Sequence, residues 1–330
     1  MVTRDEHVLV AGGAGFIGSH VCEHLLSTGN RVTCVDSLVT GDITNVSSLL
    51  EDPHFRFVEF DIARPLREWP GLEPPGSVLN LASPASPKDY QRLPIETLRV
   101  GSRGTEHTLE FAVLHDARFV LTSTSEVYGD PLEHPQRETY RGNVNPIGPR
   151  SMYDEAKRYA EALTMAYHRE LGADVAIARI FNTYGPRMRA DDGRMIPNFI
   201  TQALSGAPLT VAGTGTQTRS VCYVDDTVAG LLALWRSGLT GPVNIGNPHE
   251  MTVRRVAEEI RDVTGTTSEL TSIPGAVDDP RRRCPDITVA RTELGWSPRV
   301  SLREGLQRTV TWFAHSAKSI PPISQASRTS

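Results

Sequence analysis

Short apolar, β-branched runs alternate with stretches of helical period over the first 180 or so residues, the pattern of βαβ units around a parallel sheet. His7–Ala11 reads as a buried strand and Phe16–Ser27 as the helix after it. Arg31–Asp36, Arg56–Asp61, Ser77–Ala82 and Arg118–Thr122 supply strands two to five, and Asp174–Ile180 the sixth. A long helix is predicted from Pro94, where a first turn tolerates proline, to about His115. Another is predicted through Glu170 with Ser151 as its N-cap. Beyond Gly185-Pro186 the rhythm breaks. Helices at Ile196–Ser205, Asp225–Trp235, Val253–Thr264 and Leu302–His315 stand among Gly- and Pro-rich loops. The expected division is a sheet domain over 1–183, with segments near 219–246 returning to it, a smaller α/β domain over 184–315, and a disordered Ser/Pro-rich tail over 316–330.

Composition narrows the partners. The chain has 330 residues, 39% hydrophobic and 22% charged, enough for a sizeable core. With 34 Lys plus Arg against 39 Asp plus Glu the net charge is −5, which argues against nucleic acid as a bulk electrostatic partner. No apolar run approaches the ~18–20 residues of a membrane helix, so no membrane association is expected. Met1–Val10 has no hydrophobic signal region, and a cytoplasmic location is expected. Cys22, Cys34, Cys222 and Cys284 are irregularly spaced, which reads as reduced structural thiols. The histidines form no H-E-x-x-H pattern, and no metal is expected.

Gly12-Gly-Ala-Gly15-Phe16-Ile17-Gly18 follows the first strand and opens the first helix. Glycines there permit the tight turn and the close approach of a pyrophosphate, which would rest on the helix N-terminus. Asp36 ends the second strand, placed to accept from ribose hydroxyls and to repel a 2′-phosphate, so NAD is favoured over NADP. Asp61 at the end of the third strand with Ile62 next to it, and Leu81 and Ala82 at the end of the fourth, complete the expected cofactor contacts. The fold class expected is α/β, a Rossmann-type doubly wound parallel sheet carrying a smaller α/β substrate-binding domain.

Tyr153-Asp-Glu-Ala-Lys157 places a phenol and an ammonium on one helical face. Lysine is rare in this chain (Lys88, Lys157 and Lys318 alone), which makes its presence there notable. An ammonium beside a phenol favours the phenolate, so Tyr153 is expected to titrate below its ordinary value and to serve as a base. Thr124 lies at the carboxyl end of the fifth strand, where such sheets bind ligands, and could hold the same substrate hydroxyl.

These elements, in this order, resemble the extended short-chain dehydrogenase/reductases that act on nucleotide sugars, over roughly residues 5 to 315. Within that family the chain is most similar to the UDP-glucuronic acid decarboxylases. The runs that carry the likeness are Leu81-Ala-Ser-Pro-Ala-Ser-Pro87, Thr122-Ser-Thr-Ser-Glu-Val-Tyr-Gly-Asp130 and Gly142-Asn-Val-Asn-Pro-Ile-Gly-Pro149. Arg179-Ile-Phe-Asn182-Thr-Tyr-Gly-Pro-Arg187, Asp191-Asp-Gly-Arg194 and Asp278-Asp-Pro-Arg-Arg-Arg-Cys-Pro-Asp286 extend it. The pair Ser125-Glu126 discriminates, since similar 4,6-dehydratases carry Asp-Glu and similar 4-epimerases usually no acid there.

The resemblance implies NAD as cofactor and UDP-glucuronate as substrate, oxidised at C4, decarboxylated as a β-keto acid and re-reduced to UDP-xylose. It implies catalytic roles for Thr124, Glu126, Tyr153, Lys157 and Arg283, and substrate contacts from Ser86, Ser125, Asn182, Arg187, Arg219 and Arg283. It also implies a homodimer paired through the two long helices. Alternatives are a UDP-glucuronate 4-epimerase, a decarboxylase releasing the 4-keto pentose with NADH, and a non-catalytic NAD-sensing protein. One departure stands out: Gly101 occupies the place of a family asparagine in the long helix, so a proton relay there would have to run through water.

Overall fold

The computed structural model describes residues 6–65, 68, 69, 71–274 and 282–319, with side chains to residue 316. Strand β1 (His7–Ala11), helix α1 (Phe16–Ser27), β2 (Arg31–Asp36), β3 (Phe55–Glu59) and β4 (Ser77–Asn80) open the chain. Helices α2 (Pro87–Arg92), α3 (Pro94–Arg99) and α4 (Thr105–Leu114) follow, the last two joined by a π-helical turn over Val100–Gly104. Next come β5 (Arg118–Thr124), α5 (Ser151–Leu171), β6 (Val175–Ile180), β7 (Thr183–Tyr184), α6 (Met195–Ser205), β8 (Leu209–Ala212), β9 (Thr218–Ser220) and β10 (Cys222–Tyr223). Helix α7 (Val224–Trp235), β11 (Val243–Ile245), β12 (Glu250–Thr252), α8 (Val253–Thr264), β13 (Leu270–Ile273), α9 (Thr288–Glu293) and α10 (Leu302–Ser319) complete it.

Seven strands form one parallel sheet in the order β11-β6-β5-β4-β1-β2-β3. The order reverses between β1 and β4, and ligands in such sheets bind outside the carboxyl ends of the strands at that switch point. Alternation along β1 divides the core. Val8 and Val10 face a cluster that includes α1, α7 and α8, whereas Leu9 and Ala11 join Leu109, Phe111 and Ala160 from α4 and α5 on the other face. The chain therefore covers both faces of a sheet whose strands are apolar throughout, as a parallel sheet demands.

The segment that returns to the sheet is α7 with β11, which pairs with β6, while β10 pairs with β7 outside it. A buried polar network fixes this edge. Arg179 grips Glu161 through Nε and Nη2 at 2.9 and 2.7 Å and donates through Nη1 to Tyr128 Oη at 3.0 Å, and Tyr128 in turn donates to Asn244 Oδ1 at 2.7 Å. The network ties α5, β6 and β11 to the turn after β5.

Several expected bounds shift. The third and fourth strands end at Glu59 and Asn80, so Asp61 lies two residues beyond its strand. The long helix is interrupted by the π turn, and α2 and α9 carried no helical period strong enough to predict them, at six residues each. Ser151 is not an N-cap: it is the first residue of α5, and Arg150 precedes it without a side-chain cap. Helix α10 continues to Ser319, four residues into the expected tail, and 320–330 lie outside the described residues.

Candidate active site

One cleft of about 750 Å³ at the carboxyl edge of the sheet takes in every site residue expected from the sequence. Its first end is built from glycines because nothing larger fits. Gly12 has φ +78°, and a β-carbon on it would lie 2.7 Å from the Ala82 backbone; one on Gly18 would lie 2.1 Å from the Gly12 carbonyl oxygen. Helix α1 starts at Phe16 behind Gly15 with no side-chain cap, so its N–H groups and dipole face the cleft. Asp36 is buried at the end of β2 and accepts from Ala14 N at 3.0 Å and Leu38 N at 2.9 Å. Burial pushes its carboxyl up while these backbone donors hold it down, the former prevailing. Its remaining lone pairs can accept from hydroxyls. Asp61 closes a turn onto Ala63 N, and Ile62 is buried with its carbonyl held by His107. Leu81 and Ala82 line the floor beside Gly12. These residues fit a dinucleotide: a cradle that a β-carbon would fill, an uncapped helix end and a ribose-side carboxylate.

The centre of the cleft joins β5 to the first turns of α5. Thr124 caps the short 3₁₀ turn Ser125–Tyr128, accepting from Glu126 N at 3.2 Å, and its hydroxyl is near enough to pull the Tyr153 phenol down. Lys157 Nζ donates to the Thr122 carbonyl at 2.8 Å and lies 6.0 Å from the Tyr153 ring centroid. The expected depression of the phenol is not observed. Burial pushes Tyr153 up to about 12, against the downward pull of Thr124 and Arg194. Lys157 is itself pushed down to about 8 by burial, with Glu161 opposing. The helical spacing does place both groups on one face, but the ammonium is drawn to a carbonyl instead of the phenol oxygen.

Glu126 sits one turn away between two arginines. Its Oε2 is 2.8 Å from Arg150 Nη2 and its Oε1 is 3.2 Å from Arg283 Nη1. Burial raises its carboxyl, but the charges of Arg283 and Arg150 outweigh this and hold it below the ordinary carboxylate range. Arg283, only 2% exposed, donates to Ser125 Oγ at 2.9 Å and Gly129 O at 3.0 Å, and its Nε lacks a hydrogen-bond partner among the described residues. It is therefore built into the wall behind Glu126, not free to clamp an anion with its whole fork.

The far end faces β9 and the loop after β7. Asn182 lines it with its carbonyl engaged by Cys222 N, and Arg219 lies on β9 with Nη1 on the Thr218 carbonyl. Arg187 adopts φ +69°, pairs with Glu23 at 2.6 Å and keeps Nη1 buried without a hydrogen-bond partner among the described residues. Ser86 lines the cleft. It is the N-cap of α2, accepting from Asp89 N at 3.1 Å and donating to Asp89 Oδ2 at 2.8 Å, so its hydroxyl proton is already committed. Of the Asp278–Asp286 run, 278–281 lie outside the described residues.

Four wall residues escaped the sequence reading. Tyr90 stacks on Tyr153 and Arg150 grips Glu126. Arg194, held by Asp192 at 2.5 Å, is near enough to pull the Tyr153 phenol down, and Asp154 is buried beside the cluster. Arg150 carries no signal among thirty-one arginines, Arg194 enters only as the end of the Asp191–Arg194 run with no role attached, and Asp154 looks like any helix first-turn acid. Gly101 has a packing reason. A β-carbon there would lie 2.6 Å from Ala156 Cβ, so glycine lets the π turn press against α5 where Tyr153 and Lys157 are mounted. His134, Glu250 and Cys284 converge outside the cleft, but His134 pairs with Glu250 at 3.2 Å and the Cys284 thiol donates to Pro248 O at 3.3 Å. All four cysteines are unpaired and buried.

Residues 8–246 match the model of the NAD dependent epimerase/dehydratase family. The chain belongs to this family. Among its relatives, UDP-glucuronic acid decarboxylase 5 of Arabidopsis thaliana is 50% identical over 300 residues, covering 91% of this chain and 86% of the relative. UDP-glucuronic acid decarboxylase 1 of Danio rerio is 47% identical over 309 residues, 94% of this chain and 73% of the relative. The structure of UDP-glucuronic acid 4-epimerase from Bacillus cereus, in complex with UDP-glucuronic acid and NAD, superimposes with a TM-score of 0.83 at 29% identity, covering 94% of this chain and 99% of that one. As a member of the epimerase/dehydratase family the chain is an enzyme that uses NAD, and the glycine cradle with Asp36 is where the dinucleotide fits. No helix among the described residues is long and apolar enough to cross a membrane.

Proposed function

We propose that this enzyme decarboxylates UDP-glucuronate to UDP-xylose. The observation that carries the reading is Glu126, held ionised by Arg150 and Arg283 one turn from the Thr124–Tyr153 pair, in a chain close to half identical to named decarboxylases. An acid at that place separates it from an epimerase, which needs only the hydroxyl and phenol to oxidise and re-reduce one carbon.

NAD, which the Gly12–Gly18 cradle and Asp36 would hold, would supply the hydride chemistry needed at C4. The protein's own groups manage protons and charge. Tyr153 Oη takes the C4 hydroxyl proton, with the Thr124 hydroxyl holding the same oxygen. Lys157, kept cationic at neutral pH, lies close enough to favour the phenolate as it forms. Once C4 is a ketone, the C5 carboxylate is β to a carbonyl. The bond from C5 to the carboxyl carbon breaks and its pair enters the C4 carbonyl. The protonated phenol and the Thr124 hydroxyl then stabilise the enolate oxygen as oxyanion donors. Glu126, ionised between its arginines, suits orienting the ring or a water that protonates C5 rather than giving up a proton of its own.

Asn182, Arg187 and Arg219 suit the diphosphate and nucleotide, and 184–315 reads as the nucleotide-sugar domain beside an NAD domain over 1–183. The exposed Ile95, Leu98, Leu114, Tyr159 and Leu171 on α3, α4 and α5 suit pairing with a second copy as a homodimer. Four unpaired buried thiols suit a reducing, cytoplasmic location. Incubation with UDP-glucuronate and NAD, followed by mass spectrometry and NADH absorbance, tests the reading. A UDP-pentose without net NADH supports it. A keto-pentose with equivalent NADH means the final reduction is lost, and a product of unchanged mass means an epimerase.

A further inference from the structure

We propose that Tyr90 is a positioning residue for Tyr153, through which helix α2 carries the state of the substrate-side loop 187–194 to the phenol. This rests on the reading of Tyr153 as the base. The two rings are nearly parallel, 8° apart, with centroids 5.2 Å from each other. That lies in the favoured range for offset aromatic pairs. A base must reach its proton within about 2.6–3.2 Å. A phenol on a long helix meets that requirement only if its ring torsion is fixed, and a flat aromatic wall fixes it.

Tyr90 is itself immobilised. It is 1% exposed, in a helix capped by Ser86, and its hydroxyl has no hydrogen-bond partner among the described residues. The ring, not the hydroxyl, therefore makes the observed contact. The two residues before Tyr90 reach the loop after β7. Asp89 Oδ2 meets Arg189 Nη2 at 2.6 Å, and Lys88 Nζ meets Asp191 Oδ2 at 2.9 Å. Arg189, Asp192 and Arg194 line the cleft in the same loop. Asp89 is buried, so its link to Arg189 is the less screened of the two. When the loop settles on a substrate, Asp89 moves with it, and Tyr90 follows as part of the same helical turn.

The test measures kcat and KM for UDP-glucuronate with saturating NAD across pH, in wild type, Tyr90→Phe, Tyr90→Leu, Arg189→Met and the Tyr90→Leu/Arg189→Met double variant. NAD binding by fluorescence quenching shows that each variant is folded. Misplacement of a reacting group by about 1 Å costs on the order of 10²-fold. Tyr90→Leu is expected to lower kcat about 30-fold with KM within about threefold, and to move the pH midpoint of kcat downward as the phenol is better hydrated. Tyr90→Phe should stay within about threefold of wild type, because the stack survives. Arg189→Met should lower kcat in the wild-type background and have little further effect beside Tyr90→Leu. A Tyr90→Leu kcat within about twofold of wild type overturns the proposal, as does a Tyr90→Phe loss as large, or multiplicative effects in the double variant. Wild type inert toward UDP-glucuronate would instead sink the reading of the reaction. The stack is then tested alone by ¹⁹F NMR of 3-fluorotyrosine-labelled protein, with Tyr153 assigned by its loss in Tyr153→Phe. Its resonance should shift in Tyr90→Leu, and an unmoved resonance refutes the contact.

Discussion

Replacing Asp154 with asparagine is expected to stabilise the protein at alkaline pH and hardly at all in acid. Asp154 stands in the first turn of α5, 6% exposed, with Oδ1 lacking a hydrogen-bond partner among the described residues. Burial, then the charge of Glu126, raises its carboxyl to about 7, against the opposing pull of Arg150 and Arg283. The folded state therefore prefers the neutral acid. Below the ordinary value of 3.8 both states are protonated and the preference is fully expressed; it is lost as pH rises through about 7. Each pH unit between those limits costs about 1.4 kcal/mol, and the whole separation corresponds to about 4 kcal/mol. Asparagine is nearly isosteric and never ionises, so the variant escapes this cost. Its advantage over wild type should be about 1.5 kcal/mol at pH 5 and about 4 kcal/mol at pH 8. Urea unfolding of both proteins at the two pH values, followed by tryptophan fluorescence, measures the difference. An advantage that is the same at pH 5 and pH 8 would refute the reasoning, because only a titrating carboxyl makes it grow.

Other expectations follow from the same geometry. Tyr153→Phe should lower kcat by on the order of 10³-fold while NAD affinity, measured by calorimetry, changes little. Gly101→Asn should not restore a relay: its β-carbon would meet Ala156 Cβ at 2.6 Å, and the variant should lose about 1–3 kcal/mol and most activity, part of it recovered with Ala156→Gly. Gly18→Ala, whose β-carbon would press to 2.1 Å from the Gly12 carbonyl, should weaken NAD binding at least tenfold or prevent folding, read by calorimetry and thermal melting. Arg150→Met should raise the Glu126 carboxyl and shift the acid limb of the pH–kcat profile upward, since one of its two cationic partners is gone.

Much of the fold was legible because its chemistry is local. The strand at His7–Ala11, the glycine turn and the helix at Phe16–Ser27 form where periodicity and the Gly12–Gly18 spacing place them. The contents of the site were legible too, since Thr124, Glu126, Tyr153 and Lys157 line one cleft. Partnerships were not. Whether Lys157 turns toward a phenol or a carbonyl depends on β5 lying beneath α5, a contact between residues 122 and 157 that no local spacing encodes. Ser86 looks like a free hydroxyl until the helix it caps is seen. Arg283 enters the sequence reading only through the family resemblance, and its partners Ser125, Glu126 and Gly129 lie more than 150 residues earlier. The stack of Tyr90 on Tyr153 is of the same kind: two aromatics far apart in sequence, brought together by the sheet.

The central claim is that C4 oxidation serves to release the C5 carboxyl and that C5 is then reprotonated on the enzyme. UDP-glucuronate labelled with ¹³C at the carboxyl, incubated with the enzyme and NAD in deuterium oxide and followed by NMR, tests it most directly. The account predicts ¹³C-bicarbonate growing in step with UDP-xylose that carries one deuterium at C5, with both signals absent in Tyr153→Phe. A product that keeps the ¹³C-carboxyl and differs only at C4 would contradict it.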